Sequence, residues 1–111
     1  MDDCVFCNII NRIIRSDILF ETDHLIVVKD ILPKAPVHLL AIPKKHIAGV
    51  NELVLKDAWL LGELILAARD MAEKYAVKQS GYKLIFNVGT DGGQVIPHLH
   101  LHLLGGKKLA E

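Results

Sequence analysis

The sequence predicts an α+β domain: a mainly antiparallel five-stranded sheet with one long helix and a short N-terminal helix. Three observations carry this. Three apolar, strand-like segments precede a single long stretch of helical periodicity, and two more strand-like segments follow it. Pro33 and Pro36 punctuate a tight connection, so the third strand returns antiparallel to the second. The last segment, His98-Leu99-His100-Leu101-His102-Leu103-Leu104, alternates histidine and leucine, which gives a strand one histidine face and one leucine face.

Taken in order, Val5-Phe6-Cys7-Asn8-Ile9-Ile10 begins a short amphipathic helix expected to end near Arg15-Ser16. Strands are expected at 18–22, 24–30 and 37–43, and Lys44-Lys45-His46-Ile47 leads into a loop. The long helix is expected over 53–77, with Asn51 as a cap, or alternatively a start nearer Leu55, and Gly81 as the stop. A fourth strand covers 82–88, Gly89 to Gly93 forms a turn, and the histidine strand closes the chain. The helix has a narrow polar stripe (Lys56, Glu63, Asp70, Lys74), and its apolar arc exceeds what packing on one sheet needs. That excess predicts a homodimer; a helix sunk deeply in a monomer core is the alternative.

A length of 111 residues fits one domain, 1–111, able to bury a core without disulfides. Acidic and basic residues balance at thirteen each, so no net field draws a nucleic-acid backbone or an anionic membrane. No apolar run reaches the roughly 18 residues of a membrane span. The acidic start Met1-Asp2-Asp3 lacks the basic region of a signal peptide, so a cytoplasmic location is expected.

Histidines at alternate strand positions stand about 6.5–7 Å apart on one face. Packing alone gives no reason to choose histidine three times. Such a row either binds a metal or supplies a nucleophile and acid-base groups near neutral pH. The flanking residues favour the second reading. Gly92-Gly93-Gln94 offers backbone N–H groups that can approach an anion closely, and Asn87 adds an amide donor. Together they suit a phosphate in front of His100. From the residues alone Asp30 reads as a turn residue before Ile31-Leu32-Pro33.

Gly92-Gly93-Gln94 followed by the His-x-His-x-His run resembles the signature of the histidine-triad (HIT) family. The ending Leu104-Gly105-Gly106 is similar to its Hint branch of purine nucleoside phosphoramidases. The blocks Asp30 to His38, Ile42 to Ile47 and Phe6 to Ile10 extend the resemblance over nearly the whole chain. It implies a HIT-like fold and a hydrolase or transferase acting on the α-phosphorus of purine nucleoside 5′-phosphoramidates or acyl-nucleotides. His100 would attack and carry the nucleotidyl group, its other nitrogen oriented by a backbone carbonyl. His102 would contact phosphate oxygens and His38 would support the cluster. Asn87, Gly93, Gln94 and Val95 would bind phosphate or leaving group, and Asp30 the ribose hydroxyls. Phe6, Ile9, Val28, Ile31 and Leu40 would form the base pocket. The ligand would be a purine nucleoside monophosphate, AMP or GMP, and the chemistry would require no cofactor. A nucleotide-binding adaptor with little turnover and a dinucleoside polyphosphate hydrolase are the alternatives.

Two features bear on these expectations. Val95 stands where many Hint-branch members carry a hydroxyl residue, and the chain ends five residues after Gly106. Cys4-Val5-Phe6-Cys7 is a lone C-x-x-C, which needs two more ligands for tetrahedral zinc. His46 and His98 are the candidates, and some bacterial relatives hold a structural zinc in this way. In the other reading both cysteines are reduced core residues beside Phe6.

Overall fold

A computed structural model describes residues 3–111. Met1 and Asp2, on which the leader-peptide expectation rests in part, lie outside the described residues. The elements are α1 (Val5–Ile10), β1 (Ile18–Glu21), β2 (Leu25–Lys29), β3 (Val37–Pro43), two 3₁₀ turns (Val50–Glu52 and Leu55–Asp57), α2 (Ala58–Lys74), β4 (Tyr82–Ile85) and β5 (Leu101–Gly105). The strands form one antiparallel sheet in the order β1-β2-β3-β5-β4. Among the described residues no helix is long and apolar enough to cross a membrane.

Both faces of the sheet are covered, which explains why β2 and β3 are apolar at nearly every position rather than alternating. Leu25, Val27, Leu39, Ala41, Leu101 and Leu103 face α2, where Leu60, Leu64, Ala67, Ala68, Met71 and Ala72 pack against them. Ile26, Val28, Leu40 and Ile42 face the other way, onto Cys4, Phe6, Cys7 and Ile9 of the α1 region. Arg12 and Lys44 both pair with Glu21, at 2.5 and 2.7 Å, and tie the exit of α1 to the first two hairpins.

Several boundaries differ from the expectation. Helix α1 stops at Ile10, because Asn11 caps it and Arg12 adopts a left-handed φ of 63°. Helix α2 begins at Ala58; Val54 is extended (φ −112°, ψ 161°) and interrupts the helical run between the two 3₁₀ turns. It ends at Lys74, with Ala76 left-handed at φ 62° and the Val77 N–H bonded back to the Ala72 carbonyl at 2.9 Å. The expected stop, Gly81, instead turns the chain into β4 with φ 105°. The apolar arc of α2 is only partly buried: Trp59, Ile65 and Leu66 remain exposed. Exposed His24 packs edge-on against Trp59 at 4.8 Å.

Candidate active site

The histidine row lies on the α1 face of the sheet, but only part of it belongs to a ladder. Leu40 is directly opposite His102, and Ala41 opposite Leu101 is the last β3–β5 pair. Beyond it Ile42 and Pro43 of β3 remain paired with β2 alone. The chain at 98–100 therefore runs beside the following segment, with the Leu99 N–H donating to the Ile47 carbonyl at 2.7 Å. The alternation survives this change: Leu99, Leu101 and Leu103 enter the helix-side core. On the other side, Phe6 packs edge-on against both His98 and His100, with ring centroids 5.7 and 5.1 Å away.

The hydrogen bonds fix which nitrogen of each ring carries the proton. Nδ1 of His100 lies 2.7 Å from the His98 carbonyl, so it donates there and leaves Nε2 with a lone pair. The Lys34 N–H donates to Nδ1 of His38 at 3.1 Å. His38 therefore carries its proton on Nε2, which is 2.9 Å from Nδ1 of His102 and 3.3 Å from Oδ2 of Asp30. His102 accepts at Nδ1 and must hold its proton on Nε2. Burial holds all three imidazoles below the ordinary pKa. For His102 the positive charge that His100 and His38 would carry adds to burial and pushes it down to about 4. Neutral rings are the state in which this proton order persists.

His100 and His102 border a cavity of about 310 Å³ lined also by Phe6, Ile9, Val28, Asp30, Ile31, Leu40, Asn87, Gly93 and Val95; His38 reaches it through its contact with His102. Eleven residues expected at the site thus line one cavity. A larger surface groove, about 520 Å³ between 80–83 and 106–111, contains none of them, so size does not locate the chemistry. Asp30 is the turn residue expected: Oδ1 accepts the Leu32 N–H at 2.8 Å, while Oδ2 lies 3.3 Å from Nε2 of His38. Ile31, Leu32 and Val95 stand exposed at the mouth. Sequence reasoning missed Val5, Ser16, Lys29, Leu32, Lys34 and Ile96, which also line the cavity. Lys29 and Lys34 are the cations among them. Gln94 does not line the cavity; its carboxamide is bonded to Ala48, Ile96 and Gly89.

A second constellation sits at the N-terminus of α1. Cys4 caps the helix, and its Sγ accepts the Cys7 N–H at 3.4 Å, so the C-x-x-C spacing brings both thiols to one end. Nδ1 of His98 is 3.2 Å from Sγ of Cys4, Nδ1 of His46 is 3.3 Å from Sγ of Cys7, and the two Nδ1 atoms are 3.1 Å apart. All four donor atoms lie within 4.8 Å of one another. Ligand atoms of a tetrahedral zinc stand roughly 3.3–3.8 Å apart, so the set fits with small adjustments. Nε2 of His98 donates to the Pro43 carbonyl at 2.8 Å, which turns the Nδ1 lone pair toward the thiols. Asp30, His38 and His102 also lie close enough together to be considered as ligands. They fit poorly: a metal on Nε2 of His38 would leave a proton on Nδ1 facing the Lys34 N–H.

A two-faced sheet of this topology, with an imidazole row over an apolar cavity, defines a class that comparison with known proteins identifies. The chain belongs to the histidine-triad (HIT) family. Residues 3–110 match the family described as "Scavenger mRNA decapping enzyme C-term binding". An uncharacterized HIT-like protein of Synechococcus elongatus is 42% identical over 109 residues, 98% of this chain and 95% of its own. The purine nucleoside phosphoramidase of Escherichia coli K12 is 40% identical over 108 residues, 97% of this chain and 91% of its own. A HIT family hydrolase from Clostridium thermocellum superposes with a TM-score of 0.96 at 45% identity, covering 100% of this chain and 96% of that one.

Proposed function

We propose that the chain hydrolyses purine nucleoside 5′-phosphoramidates or acyl-nucleotides through a nucleotidyl-histidine intermediate on His100. The observation that carries this is the 2.7 Å contact between Nδ1 of His100 and the His98 carbonyl, beside the phosphate-side residues Asn87 and Gly93. A neutral imidazole tied at one nitrogen presents a fixed lone pair at the other. The purine would occupy the apolar end formed by Phe6, Ile9, Val28, Ile31 and Leu40, and Asp30 would hold the ribose hydroxyls. His102 would donate its Nε2 proton to a phosphoryl oxygen, with His38 setting that proton's place.

In the first displacement Nε2 of His100 bonds to phosphorus and the bond to the leaving group breaks. A departing amine takes its proton from water or from the substrate itself, because Val95 brings no hydroxyl. In the second, water attacks phosphorus, the bond to Nε2 breaks, and the nucleoside monophosphate leaves. The enzyme returns unchanged, and no step uses a cofactor.

The relatives support a hydrolase, since one is named a purine nucleoside phosphoramidase and a structural neighbour a HIT family hydrolase. Cys4, Cys7, His46 and His98 would hold a structural zinc that pins α1 to the chain before the histidine strand. Exposed Trp59, Ile65 and Leu66 on α2 support burial against a second copy. The test is quenched mass spectrometry with an AMP amidate. An added AMP on the peptide holding 98–102 is expected; tight AMP binding without turnover would instead identify an adaptor.

A further inference from the structure

Gln94 is held by partners that use both N–H donors and one acceptor position of its carboxamide. Nε2 donates to the Ala48 carbonyl at 2.7 Å and to the Ile96 carbonyl at 3.1 Å. Oε1 accepts the Gly89 N–H at 3.1 Å, and the Gln94 N–H donates to the Gly89 carbonyl at 3.0 Å. Two donors and an acceptor at this reach are what glutamine offers. Glutamate lacks the donors, leucine lacks both, and asparagine is a methylene short.

The neighbouring chain is shaped to admit this group. A Cβ on Gly49 would stand 3.0 Å from Oε1 and 3.2 Å from Nε2, closer than ordinary packing. Gly49 has an extended φ of −179°, so its backbone conformation does not require glycine; the space for Gln94 does. The anchoring segment is itself fixed, since the Ile47 carbonyl accepts the Leu99 N–H. Gln94 therefore fastens the 89–94 turn to the chain that follows His46. That turn places Gly93 at the cavity, and its Gly92 carbonyl holds the Asn87 amide at 2.8 Å.

We propose that Gln94 is a positioning residue for the phosphate subsite: its carboxamide, seated over Gly49, holds the 89–94 turn so that Asn87 and Gly93 meet the phosphoryl group. The inference rests on the nucleotide-hydrolase reading above and deepens it. Its effect falls mainly on the phosphate, because Phe6, Ile9, Val28 and Leu40 of the base end stand on α1, β2 and β3, away from the 89–94 turn.

Calorimetry with AMP and with adenosine separates the two ends, using wild type, Gln94→Leu, Gly49→Ala, Gln94→Ala and the Gly49→Ala/Gln94→Ala double variant. Thermal melts confirm that each is folded. In Gln94→Leu the AMP affinity should fall about tenfold, the scale of one or two lost neutral hydrogen bonds, with adenosine affinity unchanged. On the amidate, kcat should fall while the pH profile stays put. Gly49→Ala should do the same by displacing an intact Gln94, yet add nothing in the Gln94→Ala background, where the side chain it strikes is gone. Equal losses for AMP and adenosine, no loss for either, or full additivity of the two substitutions would overturn the inference. A wild type that binds AMP no better than adenosine would instead refute the nucleotide-hydrolase reading itself.

Discussion

His98 and His100 are coupled through one peptide carbonyl: the ring of His98 joins the cysteine cluster, while its backbone oxygen lies 2.7 Å from Nδ1 of His100. Phe6, between the two cysteines, touches both rings. Any disturbance of the cluster therefore reaches the atom that fixes the lone pair of His100. If the cluster holds zinc, purified protein should contain one ion per chain by emission spectroscopy, and the Cys4→Ser/Cys7→Ser variant none. Stripping the metal should lower the melting temperature as well as turnover, because α1 loses its anchor. A metal-free preparation with an unchanged melting temperature would leave the cysteines as reduced core residues.

His100→Ala should abolish turnover, on the order of 10³-fold or more, as when a covalent nucleophile is deleted. AMP should still bind, since the apolar end of the cavity and Asp30 are untouched. Steady-state kinetics beside calorimetry check this, and a retained rate would remove His100 as the nucleophile.

His38 and His102 make stability depend on pH in a definite direction. Their folded pKa values lie below the ordinary 6.5, that of His102 at about 4, with burial the largest cause in both. Above 6.5 both states of the chain are neutral at these positions and the contribution is constant. As the pH falls toward 4, the unfolded chain binds protons that the folded chain refuses, so stability is lost. Urea midpoints should thus drop between about pH 7 and about pH 5, and drop less in His102→Asn. An equal drop in both proteins would contradict the assignment to His102.

Gly92→Ala should be severe. The added Cβ would lie 2.2 Å from the Val88 carbonyl oxygen and 2.9 Å from the Val88 nitrogen, both backbone atoms that cannot step aside. The turn must open, so AMP binding should be lost and stability should fall by about 1–3 kcal/mol. Denaturant unfolding and calorimetry measure the two effects.

Ala76→Gly should do the opposite. Ala76 holds a left-handed φ of 62° at the end of α2, where glycine carries no Cβ penalty. A gain of up to about 1 kcal/mol is expected, the left-handed penalty relieved less the larger unfolded-state entropy of glycine, seen as a melting temperature a few degrees higher at unchanged activity.

The strands and the histidine row were legible because their signal is periodic. Alternation at His98-Leu99-His100-Leu101-His102 puts imidazole on one side whatever lies around it. The cysteine pair was legible through its spacing, which a helix N-terminus turns into a common facing. The start of α2 was not, because the residues from 50 to 57 have the composition of a helix and only their extended breaks at Leu53 and Val54 separate them from it. Lys34, Ser16 and the inward turn of Gln94 were equally hidden, since each depends on partners far away in the chain.

The sequence by itself determined the alternation, the mainly antiparallel sheet and the residue types, because side-chain period and turn chemistry are local properties; the place of β5 between β3 and β4 came only from the tertiary structure. The tertiary structure decided which nitrogen of each histidine carries a proton and that Gln94 braces the turn rather than facing the cavity. Those outcomes depend on partners far apart in the chain, His38 with His102 and Gln94 with the Ala48 carbonyl, that meet only when the fold closes, and on the packing that locks the short-range contacts at Lys34 and His98.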